Sequence, residues 1–306
     1  MMKKIALALA LAAATTGYSQ EVTISSEQMK LLTPEWKGER YADGRPKTDP
    51  KLLARLKKIS IEEAWGFLRN KGYQNQYEGD WQILRPDSVM VGIAVTAQYL
   101  PMRADYDKII KEKGKSEKRL GSPNSWPIDV LQEYDIYVAD GYGKIADGTL
   151  IGDNLGNSIY AKSKTGVIFY GSVRDVEGLL AIDGFNGWIK GQDPSYIQQM
   201  MLGSINSPIR IGRATVLPGD VILAKKNGTI FIPPHLLEDL LIQSEFIQLK
   251  DHFGHQRLRE GKYTPGQIDQ QWTDDIKKDF LQWLSTQKNL PMSKKELDEY
   301  MKNRTW

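Results

Sequence analysis

Apolar positions along the chain change period several times. Leu52, Leu53, Leu56 and Ile59 recur at helical spacing, the stripe of an amphipathic helix. Residues 89–100 form a run rich in β-branched side chains and predict a buried strand. Ile136-Tyr137-Val138-Ala139, ended by Asp140-Gly141, and Val167-Ile168-Phe169-Tyr170 predict two more strands. The runs 221–224 and 229–232 flank Asn227-Gly228, a strong hairpin signal because both turn positions accept positive φ. Pro233-Pro234 ends that hairpin, and Pro234 suits the first turn of a helix through Leu236, Leu237, Leu240 and Leu241. Alternating strands and helices make this an α/β protein.

The flanks differ. Residues 20–50 are polar and broken by Pro34, Pro46 and Pro50, a lead-in arm placed to wrap the core or a neighbour. Residues 251–306 are charged, with Trp272, Phe280, Trp283 and Leu284 as packing anchors; they predict a helical C-terminal extension. Residues 103–125 are a polar insertion with five lysines and two arginines against four acidic residues between 103 and 119. That composition suits a solvated helix and loop, or else a lid or subunit-contact loop. Residues 1–19 have a Lys3-Lys4 head, an apolar run of ten from Ile5, and small polar residues ending at Ser19. This is a signal-peptide pattern, too short to span a membrane, and it predicts cleavage near Ser19 and an exported, periplasmic or secreted protein.

Composition narrows the chemistry. With 41 basic and 38 acidic residues among 306, the net charge is only +3, which argues against a nucleic-acid or membrane-surface binder. Cysteine is absent, so disulfides, thiolate zinc sites and cysteine nucleophiles are excluded. Of the three histidines, His252 and His255 are close in sequence but lack a third ligand at zinc-site spacing, and His235 stands apart. Phosphate-loop, Gly-x-Ser-x-Gly and His-Glu-x-x-His patterns do not occur.

One constellation stands out. Gly152-Asp153-Asn154-Leu155 opens a predicted helix, and Gly171-Ser172-Val173-Arg174-Asp175 follows the strand after it. Both acidic positions fall where a loop or strand meets a helix, and carboxylates that stay ionised there suit hard divalent cations. The neighbouring guanidinium offers a fork to a carboxylate or enolate. Taken alone, the same residues could be a helix cap and a surface ion pair.

Together with Val91-Gly92-Ile93-Ala94-Val95-Thr96 and Val216-Leu217-Pro218-Gly219-Asp220-Val221, in this order and spacing, these segments resemble the RraA-like family over roughly residues 58–260. That family includes the regulator of ribonuclease E activity and the divalent-metal-dependent 4-hydroxy-4-methyl-2-oxoglutarate aldolases. The resemblance implies a swivelling β/β/α sandwich over 51–250, assembled as homotrimers or hexamers with sites between subunits. Its Asp-x20-Arg-Asp motif is matched by Asp153, Arg174 and Asp175. By that match Asp175 holds Mg²⁺ or Mn²⁺, and Asp153 orients water and moves a proton. Arg174 binds a 2-oxo acid and stabilises its enolate, and backbone amides near Asn154 and Leu155 help hold the carboxylate. The resemblance also implies an acidic residue from a neighbouring subunit, matched by Glu245, which falls between Leu241 and Leu249 at four-residue spacing. Tyr170 stands where the family has an aspartate, and Lys225-Lys226-Asn227-Gly228 replaces an acidic turn; both departures point to a different substrate.

Overall fold

A computed structural model describes residues 21–303. The signal-peptide pattern of residues 1–19 lies outside the described residues. The arm carries helix α1 (Ser26–Leu32), opened by a capping box between Ser25 and Gln28. Helix α2 (Pro50–Leu56) starts on the Asp49 cap, and α3 (Ile61–Asn70) starts on a second capping box, Ser60 with Glu63. Two short strands, β1 (Tyr77–Glu78) and β2 (Gln82–Ile83), lead into β3 (Met90–Pro101). The insertion folds as α4 (Ala104–Ser116), followed by α5 (Trp126–Asp129). Next come β4 (Asp135–Asp140), α6 (Asp153–Ser163), β5 (Val167–Val173), α7 (Val176–Ala181) and β6 (Gly187–Gln192). Strands β7 (Met200–Ile205), β8 (Ile209–Ile211) and β9 (Ala214–Val216) precede the hairpin β10 (Val221–Lys225) and β11 (Gly228–Ile232). The long α8 (Leu237–Arg259) is followed by α9 (Pro265–Ile268), α10 (Asp274–Ser285) and α11 (Lys294–Asn303).

One large mixed sheet runs β1-β11-β10-β3-β4-β5-β6-β2, with β7 also paired to β3. Strands β3 to β6 are parallel, and β10 and β11 are antiparallel to their neighbours. Strand β3 is shared: residues 90–93 pair with β10, and 97–101 pair with β7. Both faces of the sheet are covered, as parallel strands require. Along β4, Tyr137 and Ala139 enter a core with Val95, Phe169 and Ile159. Ile136 and Val138 point the other way, towards Trp188 and the β8–β9 hairpin. This alternation is the period of two that the strand runs carry. The expected α/β sandwich is therefore present.

The arm packs on its own chain. Val22 and Met29 are buried, and buried Arg45 reaches β4 through two bonds to Asp135, 2.8 and 3.0 Å. The expected boundary at 250 falls inside α8, because Phe246, Leu249 and Phe253 continue its apolar face into a cluster with Trp272, Phe280 and Leu284. A helix shared by two cores has no reason to break between them. Among the described residues no helix is long and apolar enough to cross a membrane.

Candidate active site

The end of β5 and the start of α6 build the site. The loop before α6 is clamped onto β5: Leu150 N–H donates to Ser172 O at 2.9 Å, and Arg174 N–H donates to Ile151 O at 3.0 Å. Those two bonds bring Asp153 beside Arg174 and Asp175, although twenty residues separate them in sequence. Asp153 is the first residue of α6, and Asp175 caps α7. Asp175 is held in the left-handed region, φ 53° and ψ 42°, which aspartate tolerates better than most side chains. Such a conformation persists only where the surroundings fix it, as at a functional site.

Arg174 Nε lies 3.2 Å from Asp175 Oδ2, with the two side chains 41% and 44% exposed. A cleft of about 730 Å³ is lined by Asp153, Arg174, Asp175, Glu177, Gln192 and Asp193 among others. A smaller recess of about 120 Å³ shares Asp153, Arg174 and Asp175, and adds Asn124, Leu155 and Tyr196. The three motif residues are therefore the common wall of two adjoining spaces. Two glycines make their approach possible. A Cβ on Gly152 would sit 2.2 Å from Asp175 Oδ2, and one on Gly178 would sit 2.6 Å from Asp153 Cβ.

The backbone donors divide. Asn154 N–H is taken by Asp153 Oδ1 at 2.8 Å, so of the two expected amides only Leu155 N–H, in the first turn of α6 beside the recess, is placed to meet an anion. Glu245 is not part of this wall. It is 3% exposed, and both its oxygens are held by Arg55 of α2 in the same chain, at 2.9 and 2.6 Å. In this chain the carboxylate expected to serve a neighbouring subunit is turned inward between α2 and α8, towards the Arg55 guanidinium. His252 and His255 lie on α8, and no group of three His, Asp or Glu side chains that could hold a metal ion occurs among the described residues.

Sequence reasoning missed Glu177, Asp193 and Asn124. Asp193 arrives through the pairing of Val173 with Gln192 and through its own N–H, 3.1 Å from Val173 O. Hydrogen bonding from Ser195, by side chain and by backbone N–H, holds its carboxyl below the usual range. The Asp193-Pro194-Ser195 turn was its only local signal. Asn124 comes from the insertion and is fixed by a 2.9 Å bond from its Nδ2 to Leu150 O.

The donor set is chemically one-sided. Four carboxylates, Asp153, Asp175, Glu177 and Asp193, face one guanidinium around the larger cleft. An anionic substrate meets net repulsion there unless a cation is bound. Mg²⁺ commonly takes only one or two carboxylates and completes its shell with water and substrate oxygens. Gly152 leaves room for the Asp175 carboxylate itself, and Asp175, exposed on the cleft wall, is the residue that would offer an oxygen to such an ion.

An α/β sandwich with an Asp-Arg-Asp wall at a strand end defines the class. Residues 58–231 match the RraA-like family profile, described as Aldolase/RraA. This is more than half of the chain, and the chain belongs to the RraA-like family. A relative in Ectopseudomonas mendocina, named "Putative 4-hydroxy-4-methyl-2-oxoglutarate aldolase", is 28% identical over 109 residues, 36% of this chain and 66% of that protein. Protein DlpA of Legionella pneumophila is 26% identical over 174 residues, 53% of this chain but only 24% of the relative. These matches thus span less than two thirds of the relatives' own lengths. In structure, the chain is similar to Streptomyces coelicolor RraAS2, described as an unusual member of the RNase ES inhibitor RraA protein family. The TM-score is 0.58 at 22% identity, covering 69% of this chain and 98% of the other; at that identity the likeness speaks for the fold.

Proposed function

We propose that the protein is a divalent-metal-dependent carbon–carbon lyase acting on a 2-oxo acid or a sugar-acid-derived analogue. The supporting observation is the wall formed by Asp153, Arg174 and Asp175, shared by two adjoining spaces and cradled by Gly152 and Gly178. Relatives named as aldolases support the same reading.

Asp175 would hold Mg²⁺ or Mn²⁺, which when bound would supply Lewis acidity towards the oxo acid. Arg174 presents its fork to the substrate carboxylate and stabilises negative charge as it develops. Asp153 accepts the proton of the 4-hydroxyl, directly or through water. The electrons of the breaking carbon–carbon bond pass into the enolate of the 2-oxo acid product, and a proton returned to that carbon gives pyruvate or its analogue. Loss of carbon dioxide from oxaloacetate leaves the same enolate, so decarboxylation accompanies the aldolase reaction. Assembly as a homotrimer or hexamer, with a neighbour closing the cleft where Arg174 and Asp175 are more than two-fifths exposed, belongs to this reading. Export after cleavage near Ser19 belongs to this reading, supported by the charged head and apolar run. Amino-terminal sequencing of the exported chain is expected to start at Gln20.

Mn²⁺ binding, followed by electron paramagnetic resonance, tests the metal assignment apart from turnover. Asp175→Asn is expected to weaken binding at least about tenfold. Unchanged binding in that variant refutes the role given to Asp175.

A further inference from the structure

A second cavity, of about 370 Å³, lies between the lead-in arm and the β-sheet domain and shares no lining residue with the clefts around Arg174. Leu32, Pro34 and Trp36 come from the arm; Leu217, Pro233 and Pro234 face them from the domain. Its size and mainly apolar lining, with a few polar groups, are those of a small-molecule site.

The arm wall is built to stand off. The Arg40 guanidinium donates to Thr33 Oγ1, Thr33 O, Gly44 O and Trp36 O at 2.7, 2.7, 2.8 and 3.2 Å. Trp36 Nε1 donates to Glu39 O at 2.8 Å. A few residues on, buried Arg45 is pinned to Asp135. An apolar wall that did not collapse onto the proline floor forgoes packing. Holding it rigidly apart makes sense when the space is kept for a ligand, since preorganisation lowers the cost of binding.

The polar groups set the ligand's charge. Asp220 lines the cavity at 3% exposure, and among the described residues its carboxylate is engaged through Oδ2 alone, accepting Leu217 N–H at 2.8 Å. Burial pushes Asp220 up to about 7, the behaviour of a carboxylate that lacks a cationic partner. Among the described residues Glu35 is the other acidic group on the lining and neither lysine nor arginine lines the cavity, while burial pulls His235 below its usual range. The cavity is therefore opposite in sign to the fork at Arg174.

We propose that this cavity binds a small organic ammonium ion with an apolar or aromatic body. The ammonium meets the Asp220 carboxylate, and the body lies between Trp36 and the Pro233-Pro234 floor.

The test is calorimetric titration of the full chain, above neutral pH, with phenethylamine, phenethyl alcohol and phenylpropionate as shape-matched probes. The amine is expected to bind saturably, with the alcohol and the acid at least about tenfold weaker. Asp220→Asn, which keeps an oxygen for Leu217 N–H, is expected to lose at least about tenfold in amine affinity. Trp36→Ala is expected to weaken the amine as well and carries the test if Asp220→Asn does not fold. Absence of saturable amine binding, equal binding of the alcohol, or unchanged amine affinity in either folded variant overturns the proposal.

Discussion

Gly152 shows how much the site depends on an atom that is not there. Its backbone, φ −117° and ψ −165°, is open to any residue, so the glycine is needed for space and not for conformation. A methyl group at that position meets Asp175 Oδ2 at 2.2 Å. Gly152→Ala is expected to leave the fold intact by circular dichroism while lowering turnover by at least about tenfold, because a small misplacement of a reacting group is costly. Asp220 gives a second prediction at this scale. Its folded pKa is raised to about 7 by burial, above the unfolded value of ~3.9. The folded state then binds more protons between these values, so stability falls as pH rises through that window. Asp220→Asn is expected to flatten that slope in urea titrations across the window, with Glu35, His235 and Tyr73 the other titratable groups on the same cavity. The Asp153–Arg174–Asp175 set was marked in the sequence by the resemblance to the RraA-like family, since taken alone it reads equally as a helix cap and a surface ion pair. Glu177, Asp193 and Asn124 were not legible, because register and loop packing bring them to the cleft.

At the scale of elements, hydrophobic period placed β3, β4, β5 and the β10–β11 hairpin but not β1, β2 or β6 to β9. The runs at 136–139 and 221–224 sit within β4 and β10. The sequence period could not show that α8 passes through position 250, since a change of polarity along a helix is not a change of structure. Two arginines secure that helix. Arg55 of α2 bonds both Glu245 of α8 and Glu296 of α11. Arg55→Ala leaves Glu245 buried without its partner, and a loss of about 2–4 kcal/mol in chemical denaturation is expected. On the far side, Arg257 bonds both oxygens of Asp279 at 2.8 and 2.9 Å, which with Lys262 and Tyr263 holds that carboxyl down at about 2. A depressed folded pKa adds stability that is complete above the unfolded value and is lost as pH falls towards 2. Limited acid proteolysis is expected to release α10 and α11 earlier in Asp279→Asn than in the parent chain.

For the whole molecule, strands β3 to β6 form a platform, and the Asp153–Arg174–Asp175 wall sits on the loops at one end of it, where open α/β sheets place ligands. The arm, the insertion and the C-terminal helices are packed around that platform in the same chain. Their composition revealed that they exist, but not that the insertion lends Asn124 to the recess or that the arm walls a separate cavity. Those are consequences of long-range packing, to which local polarity is blind.

Whether Asp153, Arg174 and Asp175 form a metal-dependent lyase site is decided by pyruvate release from oxaloacetate and from 4-hydroxy-2-oxo acids, measured with Mg²⁺ or Mn²⁺ and with EDTA, in the parent chain and in Arg174→Ala. Metal-dependent turnover is expected, abolished by EDTA and lowered by about 10²–10³ in Arg174→Ala. Metal-independent turnover, or full activity in Arg174→Ala, would contradict the lyase assignment.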